Sequence, residues 1–203
     1  MEENIKDLTK FERTATITRE TKETSITVSI DLDGGLTQIE TGVGFFDHML
    51  TAFATHSGFS LKVKTTGDLF VDCHHTVEDT GIVLGQAFKK ALGTEPVKRF
   101  ADAYIPMDES LSFCAVDISS RPYLVFDANF PQSQIGDFDA CMVKEFFTAF
   151  AFNAGITLHM KNLYGDNSHH IAESLFKAFA YCMKKATRLN EDGRLMSTKG
   201  ILG

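Results

Sequence analysis

The chain has 203 residues, 43% apolar and 23% charged, ordinary values for a globular protein with a core of its own. Twenty basic against 27 acidic side chains give a net charge of −7, and without a basic block such a chain makes a poor nucleic-acid binder. No apolar run approaches the ~18 residues of a transmembrane helix, the start MEENIKDLTK lacks a basic-then-apolar leader pattern, and no CxxC pair occurs among Cys73, Cys114, Cys141 and Cys182, so reduced thiols and a cytoplasmic location are expected.

The first ten residues are polar and are expected to lack order. Ser25 to Leu32 alternates, with Ile26, Val28, Ile30 and Leu32 on one face, which predicts a half-buried strand. Asp33-Gly34-Gly35 then makes a turn. Phe46, Met49, Leu50 and Phe53 fall at helical spacing and predict a helix over about 45–55, followed by a short strand at 61–65. His74 to Leu92 reads as a helix with Asp72 as its N-cap, although Gly81 and Gly85 count against it. Strands are expected near 101–105, 112–118 and 123–129, a helix at about 139–153, a strand at 157–161 and a last helix at about 169–187. The tail from Asn190 to Gly203 is expected to be irregular.

The chain also repeats itself. Thr51-Ala52-Phe53-Ala54 recurs as Thr148-Ala149-Phe150-Ala151, and Gly58 and Leu61 recur as Gly155 and Leu158, all 97 positions on. His74-His75, Glu78 and Lys89-Lys90-Ala91 recur as His169-His170, Glu173 and Lys184-Lys185-Ala186, 95 positions on. These ordered matches in register imply duplication: one domain over 1–203, made of two units of roughly 95 residues, about 11–95 and 96–190. The element order, strands mixed with helices twice over, predicts an α+β fold with helices on one face of each sheet.

The repeated motif is His-His-x-x-Glu. On a helix, residues i and i+4 share a face, so His74 with Glu78, and His169 with Glu173, can hold one ion each. His75 and His170 point roughly 100° away and can reach a second ion. The repeat also relates His48 to Glu145, on the helix before each motif. A pseudo-two-fold arrangement then gives His48, His75, His169 and Glu173 for one ion, and His74, Glu78, Glu145 and His170 for the other. The spacing leaves open whether a set closes within one chain or between subunits. Imidazole with carboxylate and no thiolate suits Mn or Fe(II), with Zn possible, and four protein ligands on a six-coordinate ion leave room for substrate. A dinuclear phosphoester hydrolase and a metal-stapled assembly protein are the alternatives on these residues alone.

These residues closely resemble the imidazoleglycerol-phosphate dehydratase family. The resemblance is carried by Thr21-Lys22-Glu23-Thr24, Phe46-Asp47-His48-Met49-Leu50, His74-His75-Thr76-Val77-Glu78-Asp79, Thr157-Leu158-His159, His169-His170-Ile171-Ala172-Glu173 and Ser197-Thr198-Lys199-Gly200. It implies two repeats, each a four-stranded sheet with helices, the helices sandwiched between the sheets. It implies dehydration of D-erythro-imidazoleglycerol phosphate to imidazole acetol phosphate in histidine biosynthesis, through an imidazolate stabilised by two Mn ions. It further implies a homo-oligomer of 24 subunits with sites between them, and the same eight metal ligands.

Glu23 is then the acid/base at the substrate, and Arg99, Arg121, Ser197, Thr198 and Lys199 bind its phosphate. Many family members carry His where this chain carries Glu145. Other groups read as structural: His56 at a helix end, His159 in a strand, Asp47 either behind His48 or at a helix start, Asp108-Glu109 in a solvated turn, and Cys73 packed inward.

Overall fold

The fold follows from alternation at the strands and phenylalanine at the helices. The structure is a computed structural model and describes residues 12–198, so the expectation for the first ten residues falls outside the described part. In β1 (Thr14–Glu20) and β2 (Thr24–Asp31) every second side chain turns inward, and Ile26, Val28 and Ile30 are buried. The two strands pair antiparallel, Thr14 opposite Asp31 and Glu20 opposite Ser25. β3 (Gln38–Glu40) leads into α1 (Gly44–Ser57), which crosses over to β4 (Ser60–Gly67), parallel to β3 and antiparallel to β2. α2 (His74–Leu92) closes the first unit, whose sheet order is β1-β2-β4-β3.

The second unit repeats the plan. β5 (Phe100–Met107), β6 (Ser110–Asp117) and β7 (Tyr123–Asp127) are followed by a small hairpin of β8 (Gln134–Ile135) and β9 (Phe138–Asp139). Then come α3 (Met142–Ala154), β10 (Thr157–Tyr164) and α4 (Ser168–Ala186), with sheet order β5-β6-β10-β7. As in the first unit, one pair is parallel, β10 with β7. α1 and α3 both stop on a left-handed glycine, Gly58 at φ 78° and Gly155 at φ 71°, whose N–H donates to the Ala54 and Ala151 carbonyls. The two four-stranded sheets and four helices match the α+β class expected from the sequence.

The helices lie between the sheets. α2 covers β1, β2 and β4, and α4 covers β5, β6 and β10, while α1 packs on α4 and α3 on α2 across the unit boundary. Buried phenylalanines fill this layer, with Phe147 and Phe176 rings 4.7 Å apart and Phe53 and Phe179 rings 5.1 Å apart. Gly81 and Gly85, which weigh against a helix by propensity, turn out to be what lets α2 approach α3. A Cβ on Gly85 would lie 2.7 Å from the Phe150 carbonyl oxygen and 2.9 Å from the Ala154 nitrogen, both backbone atoms. Gly85→Ala is therefore expected to destabilise the fold by about 2 kcal/mol despite its better helix propensity. Gly44→Ala, whose Cβ meets nothing within 4 Å, serves as the control. Denaturant unfolding of both variants checks the difference.

Three boundaries differ from expectation. β1 was not foreseen, because Ala15, Ile17 and Arg19 are a weak inward set; Arg19 is admitted there by a 2.6 Å ion pair with Asp79. α3 begins at Met142 rather than near 139, because Phe138 and Asp139 pair with the hairpin strand β8. The N-cap position of α2 is Cys73, whose side chain makes no capping bond; the Asp72 carboxylate, one residue earlier, accepts the His74 N–H at 2.7 Å. The tail as far as Thr198 is irregular, as expected. It is tied down by Asn190, which donates to the Val97 and Arg194 carbonyls.

Candidate metal centre

Both His-His pairs open a helix. The Asn167 side chain accepts the His169 and His170 N–H groups at 2.9 and 3.4 Å, the counterpart of Asp72 at α2. This fixes the backbone from which the imidazoles project. His48, just past the first turn of α1, faces the start of α4. Its Nε2 lies 3.6 Å from Glu173 Oε2, and His169 Nε2 lies 3.3 Å from the same oxygen. Ligand atoms of His48, His169 and Glu173 all lie within 4.8 Å of one another. Phe45 packs edge-on against His169, with ring centroids 5.0 Å apart, and limits where the imidazole can swing.

Glu173 is buried, and its other oxygen binds Lys177 Nζ at 2.7 Å. Burial raises its pKa, but the Lys177 ammonium and the two imidazoles outweigh that and leave it lowered. The carboxylate is thus held ionised with one oxygen toward the two imidazoles, the state a cation needs.

On α2, His74 Nε2 lies 3.4 Å from Glu78 Oε2. Glu145 stands in the first turn of α3 but, among the described residues, does not close on them as His48 does on His169 and Glu173. Two carboxylates, Glu145 and Glu78, would repel without a cation between them.

His75 and His170 lie outside the close group. Each instead donates from Nδ1 to a carboxylate: His75 to Asp68, 3.1 Å from each oxygen, and His170 to Glu109 at 2.7 Å. Such a bond fixes the tautomer and leaves Nε2 free to take a metal. Glu23 Oε2 lies 4.0 Å from His75 Nε2, and Asp108 Oδ2 lies 3.7 Å from His170 Nε2. Sequence reasoning missed Asp68 and set Glu109 aside as a solvated turn. Glu109 had a signal: it immediately precedes β6 just as Glu23 immediately precedes β2.

The hydrogen bonds to Asp68 and Glu109 raise the pKa of His75 and His170, and the bond from His170 lowers Glu109 to about 2. The raised histidine contributes stability that is complete below its unfolded value near ~6.5 and lost as pH rises through the higher folded value. The lowered carboxylate contributes above ~4.3 and loses it as pH falls toward that lower value. The pair is therefore at full strength between ~4.3 and ~6.5. In metal-free protein, Glu109→Gln is expected to lower the His170 pKa and leave His75 unmoved, as read by proton NMR titration of the imidazoles.

The arginines are elsewhere. Asp117, the last residue of β6, pairs with Arg99 Nε at 2.6 Å and Arg121 Nη2 at 3.4 Å. Arg99 Nη1 donates to the Met196 carbonyl at 2.6 Å, which brings the backbone leading into Ser197 and Thr198 alongside; Lys199 lies outside the described residues. Eight strand positions separate Asp117 from Glu109, about 26 Å at ~3.3 Å per residue. α4 gives a second measure: the Arg99 N–H donates to the Ala186 carbonyl at its end. His169 is seventeen residues earlier, about 26 Å at ~1.5 Å per residue. Within one chain, the arginines and the imidazoles occupy opposite ends of the second unit.

The family model for imidazoleglycerol-phosphate dehydratase matches residues 41–183. The chain belongs to the imidazoleglycerol-phosphate dehydratase family. It is 57% identical to the imidazoleglycerol-phosphate dehydratase of Phenylobacterium zucineum, over 94% of this chain and 99% of that one. It is 58% identical to that of Methylorubrum populi, over 94% and 100%. The Staphylococcus aureus enzyme structure superposes with a TM-score of 0.81 at 40% identity, covering 87% of this chain and 99% of that chain. For the Pyrococcus furiosus structure the TM-score is 0.82 at 41% identity, covering 92% and 100%.

The other groups read from the sequence as structural lie away from the close group of His48, His169 and Glu173. Asp47 turns its carboxylate to Thr41, accepting the backbone N–H at 2.9 Å and the hydroxyl at 2.5 Å, so it anchors the start of α1 rather than orienting His48. His159 sits exposed on β10, His56 packs at a tilt against Tyr181 near the end of α1, and Cys73 is buried. No described helix is long and apolar enough to cross a membrane.

Proposed function

We propose that this protein removes water from imidazoleglycerol phosphate to give imidazole acetol phosphate in the cytoplasmic pathway to histidine, with two divalent cations, Mn in the first instance, at each active site. The observation that carries this reading is the convergence of His48, His169 and Glu173 on one point within 4.8 Å. Two neutral imidazoles and an ionised, lysine-backed carboxylate suit Mn, Fe(II) or Zn. His75, backed by Asp68, would complete that set; His74, Glu78 and Glu145 with His170 would form the other. Held by these residues, the ions would supply Lewis acidity that makes the substrate's ring N–H easier to lose, and a ring without that proton has the electron density to expel the hydroxyl on the carbon beside it.

The chain's own groups do the rest. Glu23, on the turn before β2, takes the proton from the tail carbon next to the one that lost the hydroxyl. The enol so formed tautomerises to the ketone. Asp68 and Glu109 hold their imidazoles so that Nε2 faces outward. Arg99 and Arg121, with the Ser197 and Thr198 hydroxyls and Lys199, take the phosphate; Arg121, exposed and 3.4 Å from Asp117, offers the more open guanidinium fork, while Arg99 adds its charge from its place on Asp117.

A substrate of this size spans far less than the roughly 26 Å between the arginines and His169. The reading therefore requires a homo-oligomer in which neighbouring chains complete each site, and we take the 24-subunit shell of the family as its form. The deciding test is an assay of Mn-loaded protein on imidazoleglycerol phosphate. A keto product that retains its phosphate supports the proposal. Free phosphate from this or a generic ester supports a phosphoester hydrolase instead.

A further inference from the structure

The duplication gives the two metal seats the same scaffold but not the same charge. The seat on α1 and α4 has His48, His169 and Glu173. Lys177, one turn past Glu173, holds that carboxylate at 2.7 Å. With neutral imidazoles this half-site carries no net charge. The seat on α3 and α2 has Glu145 where His48 stands, and then His74 and Glu78. The residue one turn past Glu78, the counterpart of Lys177, is Ile82. This half-site carries two negative charges, and Asp72 and Asp139 line the cavity beside it at the start of α2.

The histidines that complete the seats do not offset this difference. His75 has Asp68 on Nδ1 and Glu23 4.0 Å from Nε2; His170 has Glu109 on Nδ1 and Asp108 3.7 Å from Nε2. Each therefore brings two carboxylates, whichever chain supplies it.

We infer that the two seats bind their ions with different affinity, the α2–α3 seat filling first. The inference rests on the proposed two-ion reading and adds an order to it. Two extra negative charges near a divalent cation act through a partly desolvated site, where charge interactions exceed their values in water. A donor set with two carboxylates is also the harder one and favours Mn over Zn, whereas three imidazoles with one carboxylate accept either. The convergence seen at His48, His169 and Glu173 has the same origin. Neutral as it stands, that half-site forms a close group, whereas among the described residues Glu145 forms none with His74 and Glu78.

The test is a Mn titration of chelator-stripped protein, followed by calorimetry and by the spin-resonance signal of free Mn. Two steps of one ion per chain are expected, with dissociation constants at least about tenfold apart. Glu145→Gln should weaken the tighter step at least about tenfold and leave the looser one in place. Glu145→His, which copies the residue the first unit already uses, should draw the steps together. Light scattering confirms that each variant keeps its assembly. A single step of two equal ions, or a Glu145→Gln variant that weakens the looser step, overturns the inference while leaving the two-ion reading intact. Fewer than two ions per chain in the unaltered protein defeats that reading itself, and this inference with it.

Discussion

His169→Ala is expected to remove one Mn per chain and to lower dehydration by about 10³-fold or more, with the fold retained. The side chain is half-exposed, and its stabilising contacts are an edge-on ring and a 3.3 Å approach to Glu173. The bond that matters to the helix, from the His169 N–H to Asn167, belongs to the backbone and survives the substitution. Loss of the imidazole cuts the proposed donor set from four to three, the His48 and His75 imidazoles with the Glu173 carboxylate, and removes one of the two imidazoles that already converge on that carboxylate. His74→Ala should do comparable damage, because it occupies the same place in the other unit. Metal analysis of the purified variants, with turnover on imidazoleglycerol phosphate, checks both. If either variant keeps two ions and full activity, the pairing of the two units in one chemistry is wrong.

The sequence made the scaffold legible wherever pattern and length agreed. β2 alternates over eight residues, and α2 keeps its period over nineteen, so both were readable despite two glycines. Those glycines looked like a flaw because propensity is local, whereas their reason, the approach of α3, is tertiary. β3, β8 and β9 are two or three residues long, too short for any period to show.

The proposed metal ligands were legible for a different reason. Duplication prints the same rare motif twice, and the i and i+4 spacing converts directly into geometry. Asp68 and Glu109 escaped because they support the histidines from other elements, the end of β4 and the turn before β6. Carboxylates in turns are too common to single out. The separation of Arg99 and Arg121 from the imidazoles was also invisible, since residues assigned by resemblance to a family carry no length scale. The strand and the helix supply it.

Glu23→Gln is expected to lower turnover by about 10²–10⁴-fold while Mn content stays unchanged. The turn that carries Glu23 is tightly tied. The Thr21 hydroxyl accepts the Glu23 and Thr24 N–H groups at 3.1 and 2.9 Å, and the Thr21 N–H donates to the Thr24 carbonyl at 2.8 Å. The amide therefore occupies the same place as the acid and lacks only the capacity to take a proton. Glu109 provides the contrast, because it holds the corresponding place in the second unit but is committed to His170. Glu109→Gln should behave oppositely, weakening Mn about 10–100-fold through the loosened imidazole. In the proposed reading one copy of the turn would orient a ligand, and the other, its carboxylate 4.0 Å from His75, would serve the substrate. Metal analysis with kcat on both variants separates the two roles. A Glu23→Gln protein that lost its Mn would make Glu23 a ligand and leave the proton transfer without a base.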